Sequence, residues 1–246
     1  MQHRSKKIKK SFFFILVVLI VLSGGSAIYL SNYYHSVDVE KYMNGSWEVS
    51  VEKFDKGCFF DGAGEEKALI FYPGAKVATE AYAPLMYQLA ENGVDCFLVD
   101  MPFHMAFFGM NRAEEIMQEY NYEAWYLGGH SLGGAMAANF AADYVEDHTD
   151  GIRGLLLLAA YPTKDLSTSD MSVVTVYGSE DGVLNMDKIV AGRELMPQDY
   201  KEVCIEGGNH AQFGSYGAQK GDGTAAIPAE EQWARTVEVF VGDESE

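Results

Sequence analysis

The sequence predicts an α/β domain whose mostly parallel sheet is covered by helices on both faces. Short apolar runs typical of buried strands alternate with helical patterns along residues 45–246. The chain has 246 residues, of which 48% are hydrophobic and 13% aromatic, which suffices for one core and excludes a disordered protein. Residues 45–246 contain no internal repeat and no low-complexity linker, so they are predicted to form one domain.

The strands are predicted from alternating or continuous apolar runs bounded by turn residues. They cover residues 47–54, 68–72, 94–99, 124–127, 152–160, 173–177 and 200–205, with a turn at 61–64. The helices are predicted from apolar side chains three and four residues apart. They cover residues 82–91, 114–120, 187–195 and 228–241, and a further helix rich in small residues begins at Ser131. Pro84 and Gly93 mark the first turn and the end of the first helix.

The charge is strongly acidic and unevenly distributed. The formal net charge is −18, which argues against a nucleic-acid partner, because neutralising phosphates requires Lys and Arg. Residues 1–37 carry five of the basic residues and no acid, whereas the rest of the chain carries all 36 acids against 13 bases. The basic tip and the acidic body are therefore predicted to be separate parts of the protein.

The basic tip precedes an apolar segment. Residues 12–30 form a run of 19 mostly apolar residues, long enough as a helix to cross a bilayer. The positive charges before it predict a signal anchor with a cytoplasmic N-terminus and an extracytoplasmic body. The alternative is a signal peptide cleaved near residues 25–27, which would make the body a secreted protein. The predicted organisation is a basic tip and anchor over residues 1–31, a linker over 32–44 and one domain over 45–246.

Three cysteines, Cys58, Cys96 and Cys204, are few for an exported protein and do not indicate a disulfide framework. Cys96 and Cys204 lie in apolar strand-like runs and are expected in the core. The sequence contains no Cys-x-x-Cys pair and no His/Cys cluster with the spacing of zinc ligands, so no metal site is predicted.

The clearest motif follows the predicted strand 124–127. Gly129-x-Ser131-x-Gly133 is the pattern of a nucleophile at a sharp turn between a strand and a helix. Glycines two residues on either side are needed there because a side chain would collide with the neighbouring backbone. The context favours a nucleophile over an incidental serine in a glycine-rich turn, because the motif directly follows an apolar strand and opens a helix.

A serine nucleophile needs a base, which is itself oriented by an acid. Two histidines follow Ser131. His210 lies in a loop directly after strand 200–205 and is the predicted base, whereas His148 lies in a hydrophilic stretch typical of a solvated helix end. The acid is predicted to be Asp181, since Gly182 after it suits a turn, with Glu180 as the alternative.

An oxyanion would need two backbone N–H donors. Leu132 is predicted to provide one, because it follows the nucleophile at a helix N-terminus. Ala75, in the loop after strand 68–72, is predicted to provide the other. The alternative is that this loop is a plain turn between a strand and a helix.

Together, residues 68–75, 94–102, 128–134, 178–182 and 207–210 resemble the α/β-hydrolase superfamily, and the motifs occur in the family's order. The chain is similar to the small dienelactone-hydrolase-like branch without a lid domain, and to membrane-anchored bacterial hydrolases. It differs from true dienelactone hydrolases in having Ser131 where those have cysteine. The resemblance implies the α/β-hydrolase fold and an acyl-Ser131 intermediate. It further implies His210 as base and then acid, Asp181 orienting it, and no cofactor.

The expected substrate is a small-molecule ester or acyl compound. Only residues 161–172 separate two predicted strands where a lid domain would be inserted, so an open site for small or chain-end esters is expected. The apolar loop after strand 94–99 could line an acyl pocket or pack on the core; it contains His104, Met105, Phe107, Phe108 and Met110. Residues 211–224 could form a wall beside His210 or a surface connection. Acyl transfer and a non-catalytic binding module remain alternatives, and the sequence leaves the oligomeric state open.

Overall fold

The computed structural model describes residue 25 and residues 31–148 and 151–242. The chain divides into two compact units, Met1–Tyr33 and Tyr34–Glu246, and the fold described below is that of the second. Nearly all of the predicted membrane segment, residues 12–30, lies outside the described residues. Within the described residues, no helix is both long enough and apolar enough to span a bilayer.

The second unit is built on a sheet of eight strands in the order β1-β2-β4-β3-β5-β6-β7-β8. β2 runs antiparallel to both β1 and β4, and all other neighbours are parallel. The strands are β1 Ser50–Phe54, β2 Gly57–Asp61, β3 Lys67–Tyr72, β4 Asp95–Val99, β5 Ala124–His130, β6 Ile152–Leu158, β7 Ser172–Gly178 and β8 Tyr200–Ile205. The predicted α/β architecture with a mostly parallel sheet is therefore confirmed.

Among the residues that the structure describes in this unit, six α-helices connect or flank these strands: α1 Glu40–Met43, α2 Ala83–Glu91, α3 Arg112–Glu119, α4 Leu132–Asp147, α5 Met186–Gly192 and α6 Ala229–Gly242. Short 3₁₀ turns occupy Thr79–Tyr82, Pro102–His104, Ala106–Phe108, Arg193–Leu195 and Ala211–Phe213. Residues 159–171 between β6 and β7 contain no helix or strand, so no lid domain interrupts the fold there.

The core lies on both faces of the sheet because successive strand residues point to opposite sides. In β3, Leu69 and Phe71 pack on the face covered by α2 and α6, whereas Ile70 and Tyr72 pack on the face covered by α4. Burial of both faces explains why the parallel strands are continuous apolar runs rather than alternating ones.

The sequence analysis missed β2. Residues 57–61 pair with both β1 and β4, so this short segment joins the hairpin to the parallel strands. Its faces alternate normally, with Cys58 and Phe60 on one side and Phe59 on the other. The first strand is correspondingly shorter than predicted, because residues 47–49 precede the hairpin.

The prediction that Cys204 is a core residue is wrong. Cys58 and Cys96 are buried, whereas Cys204 is exposed. The reason is position in the sheet, since β8 is the last strand and has a neighbour on one side only.

Residues 34–44, predicted as a linker, make specific contacts with the rest of the second unit. The Tyr34 N–H donates to Lys76 O over 2.7 Å, and the Ala78 N–H donates to Tyr34 O over 2.8 Å. The Val37 N–H donates to Ser215 O, and the Val39 side chain is buried in the core. This segment therefore reaches the edge of the sheet at which the parallel strands end, called the carboxyl edge below.

Candidate active site

Ser131 occupies a strained turn between β5 and α4. Its backbone adopts φ 53° and ψ −121°, a combination that costs free energy in any residue other than glycine. The turn is tight on both sides. A Cβ on Gly129 would lie 2.5 Å from the backbone carbon of Gly133, and a Cβ on Gly133 would lie 2.1 Å from Tyr72 O. The two glycines are therefore required sterically, as the sequence pattern predicts, and they hold Ser131 at the carboxyl edge.

His210 and Asp181 converge at this edge from two neighbouring strands. His210 Nδ1 lies 2.8 Å from Asp181 Oδ2, and each side chain is only 2% exposed. Since a carboxylate only accepts hydrogen bonds, the contact assigns the Nδ1 proton to His210 and leaves its Nε2 able to accept one. Asp181 Oδ1 accepts the Val183 and Leu184 N–H groups at 2.9 and 2.8 Å, which fixes the carboxylate.

The two alternative residues lie elsewhere. Glu180 is exposed, and its carboxylate accepts a hydrogen bond from the Ser179 hydroxyl. His148 is exposed at the end of α4, where its ring stacks on Tyr144. The structure thus pairs His210 with Asp181.

Ser131, Leu132 and His210 line the same cavity, whose volume is about 360 Å³. Apolar side chains, including those of Met136, Ala160, Val183 and Leu184, provide much of the remaining wall. The cavity therefore presents a hydroxyl and an imidazole in an otherwise largely apolar recess. A larger cavity of about 590 Å³ lies at the opposite edge of the sheet, around the start of β3.

The two predicted oxyanion donors differ in position. Leu132 is the first residue of α4, so its N–H has no acceptor within the helix, and Leu132 lines the cavity.

Ala75 does not line the cavity. The N–H groups of Lys76 and Val77 donate to backbone carbonyls, whereas that of Ala75 has no protein acceptor within residues 31–148 and 151–242. A Cβ on Gly133 would lie 2.4 Å from Pro73 O, so the Ala75 loop lies directly against the turn that holds Ser131.

Comparison with known families identifies the family of this chain. A model described as the alpha/beta hydrolase family matches residues 68–234, which is more than half of the chain. The chain belongs to the alpha/beta hydrolase family. A search of the curated proteins found no significant match.

Solved structures share the alpha/beta hydrolase fold at low sequence identity. Carboxyl esterase 2 from the fungus Tuber melanosporum is 12% identical with a TM-score of 0.60, over 85% of this chain and 89% of that one. Est1E from Butyrivibrio proteoclasticus is 16% identical with a TM-score of 0.54, over 81% and 100%. A soluble variant of monoglyceride lipase from Saccharomyces cerevisiae is 12% identical with a TM-score of 0.54, over 81% and 96%.

Asp222 connects the two loops that carry Asp181 and His210 in this hydrolase. Its Oδ1 accepts the N–H of Gly182 at 3.1 Å and that of His210 at 3.2 Å, and its Oδ2 accepts the Ala211 N–H at 2.8 Å. The sequence analysis did not single out Asp222. In the sequence, Asp222 was marked only by its position in the long segment 211–224. The spacing of residues along the chain cannot show that this segment contacts a loop 40 residues away.

The same loop is held from behind by a buried amide. Gln232 of α6 is fully buried and exchanges two hydrogen bonds with the backbone of Asn209, at 3.0 and 2.8 Å. The Asn209 side chain donates to Gly223 O over 2.9 Å. The His210 loop is therefore fixed by α6 as well as by Asp222.

His130, the residue before Ser131, is buried beside His210. The two ring centroids are 4.4 Å apart. His130 Nδ1 lies 2.8 Å from the Tyr82 hydroxyl, which accepts the Gly74 N–H at 3.0 Å. Burial, together with the adjacent His210, holds the pKa of His130 well below its usual value. His130 is therefore a neutral imidazole, and it connects the His210 ring to the loop that carries Ala75.

The apolar loop after β4 does not line the cavity at Ser131. His104, Met105, Phe107, Phe108 and Met110 are all absent from its wall. Met110 packs partly against the core, whereas Phe107 and Phe108 are exposed.

The long segment 211–224 packs in part behind the His210 site. Its Phe213 is fully buried, with its ring 5.7 Å from that of His130.

Proposed function

We propose that this alpha/beta hydrolase is a serine esterase that acts through an acyl-Ser131 intermediate. The observation that carries the proposal is the buried His210–Asp181 pair, of which His210 shares a cavity wall with a serine held in a strained turn. Strain and burial both cost folding free energy, and they are commonly concentrated at catalytic sites.

In the proposed reaction, Ser131 Oγ attacks the ester carbonyl carbon and its proton passes to His210 Nε2. Asp181 keeps the Nδ1 proton of His210 in place and stabilises the imidazolium. The Leu132 and Ala75 N–H groups would donate to the oxyanion. The C–O bond of the ester then breaks, and the leaving alcohol takes the proton from His210. Water activated by His210 finally hydrolyses the acyl-serine bond and regenerates the serine.

The cavity favours an ester with a modest apolar acyl group. Its volume of about 360 Å³ is at the lower end of small-molecule sites, and much of its wall is apolar. The absence of helix and strand from residues 159–171 supports an open site without a lid domain. Structural relatives include proteins named as a carboxyl esterase and a monoglyceride lipase, which is consistent with an ester substrate. The small size of the catalytic unit supports its assignment to the dienelactone-hydrolase-like branch of the family. Ser131 then takes the place of the cysteine nucleophile of true dienelactone hydrolases.

The proposed location of the protein is the cell membrane. We infer from the basic tip and the apolar run over residues 12–30 that the chain is anchored in the cell membrane with an extracytoplasmic catalytic unit. Cleavage of the segment would release the same enzyme in secreted form.

Labelling with a fluorophosphonate tests the mechanism. We expect the full chain to gain one adduct, located at Ser131 by peptide mass spectrometry, because only an activated serine reacts rapidly. The Ser131→Ala variant should gain none, and His210→Ala should react at least about 100-fold more slowly. The matched control is His148→Ala, since His148 is exposed and remote from the cavity. A folded parent protein without an adduct at Ser131 would instead favour a non-catalytic binding module.

A further inference from the structure

The exposed apolar side chains are concentrated at the carboxyl edge. Among the described residues, eight large hydrophobic side chains are exposed: Val37, Trp47, Phe103, Phe107, Phe108, Val183, Met186 and Val190. Only Trp47, which precedes β1, lies at the amino edge of the sheet. The other seven belong to segments at or directly beyond the strand ends near Ser131. An apolar surface concentrated on one side of a protein indicates an interaction site rather than random exposure.

Three of these side chains form an aromatic cluster after β4. Phe103, Phe107 and Phe108 are each more than half exposed. The ring of Phe108 contacts those of Phe103 and Phe107 edge to face, at centroid distances of 5.7 and 5.5 Å. Phe103 adopts φ 57°, a strained conformation for an aromatic residue. The fold thus accepts backbone strain in a segment that keeps three aromatic rings in solvent.

A second apolar group lies on the other side of the cavity. Val183, Met186 and Val190 follow β7, and Val183 is also part of the cavity wall. The β4 and β7 segments are on opposite sides of β5, the strand that leads to Ser131. The site is therefore flanked by exposed apolar side chains on both sides.

The chain itself enters the second unit at this edge. Tyr34 pairs with the Ala75 loop through Lys76 O, and Val37 is bonded to Ser215 in the loop after His210. The apolar run over residues 12–30 ends only four residues before Tyr34 in the sequence. Four extended residues span at most about 14 Å, so the connection between that run and this edge is short.

The charges near the edge favour a neutral surface. Exposed acids (Asp38, Glu180, Asp187) and exposed bases (Lys188, Lys220) both lie in segments of this edge, so strong electrostatic attraction to anionic lipids is not expected. Phenylalanine side chains insert into the boundary between headgroups and acyl chains through their apolar area, without requiring charge.

We propose that the carboxyl edge docks on a zwitterionic bilayer surface, with Phe103, Phe107 and Phe108 inserted at the interface. The inference rests on the proposed anchor and esterase activity, and it names the substrate class as acyl esters presented in a membrane. The Ser131 cavity then faces the bilayer, so an ester reaches it from the lipid phase without crossing water. A permanently docked enzyme has no need of a lid to recognise the interface.

Fluorescence quenching tests docking independently of activity. The full chain is reconstituted in phosphatidylcholine vesicles containing brominated acyl chains, and Phe107→Trp is compared with the parent. We expect the fluorescence that the substitution adds to be quenched at least about twofold. The fluorescence of the parent, whose exposed tryptophan Trp47 lies at the opposite edge, should not be quenched. Added fluorescence that stays unquenched would overturn the proposal. If the detergent-solubilised chain were also a dimer that buries the introduced indole, the apolar edge would instead be a contact between two copies.

Hydrolysis provides the second test. The triple variant Phe103→Ser/Phe107→Ser/Phe108→Ser should lose at least about tenfold in kcat/KM for a short-acyl ester of a long-chain alcohol in vesicles, but stay within about twofold for a water-soluble short-chain ester. Trp47→Ser is the matched control and should change neither. Equal loss on both esters, or none on either, would overturn docking as the source of specificity. A parent that hydrolyses neither ester would refute the esterase proposal, and quenching alone would then decide docking.

Discussion

The imidazole ring of His130 packs against that of His210 with a centroid separation of 4.4 Å and an angle of 54° between the ring planes. The Tyr82 hydroxyl accepts the Gly74 N–H and also lies 2.8 Å from His130 Nδ1. His130 Nε2 has no hydrogen-bond partner within the described residues. A neutral ring at this position leaves His210 free to become positively charged during the proposed reaction, without repulsion from a second imidazolium.

Replacing Tyr82 with phenylalanine tests this connection. The change removes one hydroxyl and leaves two buried groups, the Gly74 N–H and His130 Nδ1, without their partner. We expect the free energy of unfolding to fall by about 1–3 kcal/mol and kcat to fall about tenfold. Urea unfolding and hydrolysis of a soluble ester measure the two effects. Tyr87→Phe, in the helix α2 that follows Tyr82 and only partly buried, serves as the control and should change neither quantity by much.

The low pKa of His130 predicts how stability depends on pH. The unfolded chain protonates this histidine near pH 6.5, whereas the folded chain does so only well below that value. The unfolded state therefore binds more protons as the pH falls below about 6.5, and the free energy of unfolding decreases by up to about 1.4 kcal/mol per pH unit. This part of the decrease should be absent from His130→Gln and retained in His148→Gln. Urea unfolding at pH 7.5 and pH 5.0 measures it, and equal decreases in all three proteins would contradict the assignment.

Asp222 is expected to position His210 and Asp181 together. Asp222→Asn removes one of the carboxylate oxygens that accept the Gly182, His210 and Ala211 N–H groups. Small displacements of catalytic groups are costly, so kcat should fall about 10- to 100-fold while KM stays nearly constant. The fluorophosphonate reaction at Ser131 should slow by a similar factor. Asp187→Asn, in an exposed position of α5, is the control, and an effect of the same size there would argue against a specific role for Asp222.

Asp181 is distinguished from Glu180 by contact with His210. In Asp181→Asn the side chain can no longer accept both the Nδ1 proton and the two backbone N–H groups as a carboxylate does. The imidazole then loses its productive tautomer, and kcat should fall about 10⁴-fold. Glu180→Gln should retain activity within about twofold, because its carboxylate lies outside the site. Steady-state rates on one soluble ester decide the assignment, and a larger loss in Glu180→Gln would reverse it.

Local sequence patterns were sufficient to predict the turn at Ser131. Its requirements are short-range and steric, since Gly129 and Gly133 are close to each other and to the end of β3. The strands and helices of the parallel part were also predictable, because burial on both faces leaves continuous apolar runs. β2 was missed because its five residues are short and form a strand only by pairing with β1 and β4.

The burial of individual side chains depended on position in the sheet. Cys96 in β4 and Cys204 in β8 both lie in strand-like sequence, yet only Cys96 is buried, because β8 is the last strand. Phe107 and Phe108 are apolar and still exposed, since their loop lies beyond the end of β4. Hydrophobicity alone does not distinguish these cases.

The order of the chemical groups along the chain is readable from local sequence: a serine between two glycines, an acid after β7 and a histidine after β8. Those features are local, and parallel strands end at one edge whatever the details of packing. Three contacts depend on the folded chain: the choice of carboxylate that meets His210, the connection of the two loops by Asp222, and the link that Tyr82 and His130 form between the Ala75 loop and His210. These contacts join residues 12 to 48 positions apart, and their geometry is set by how the strands and helices pack rather than by any sequence pattern.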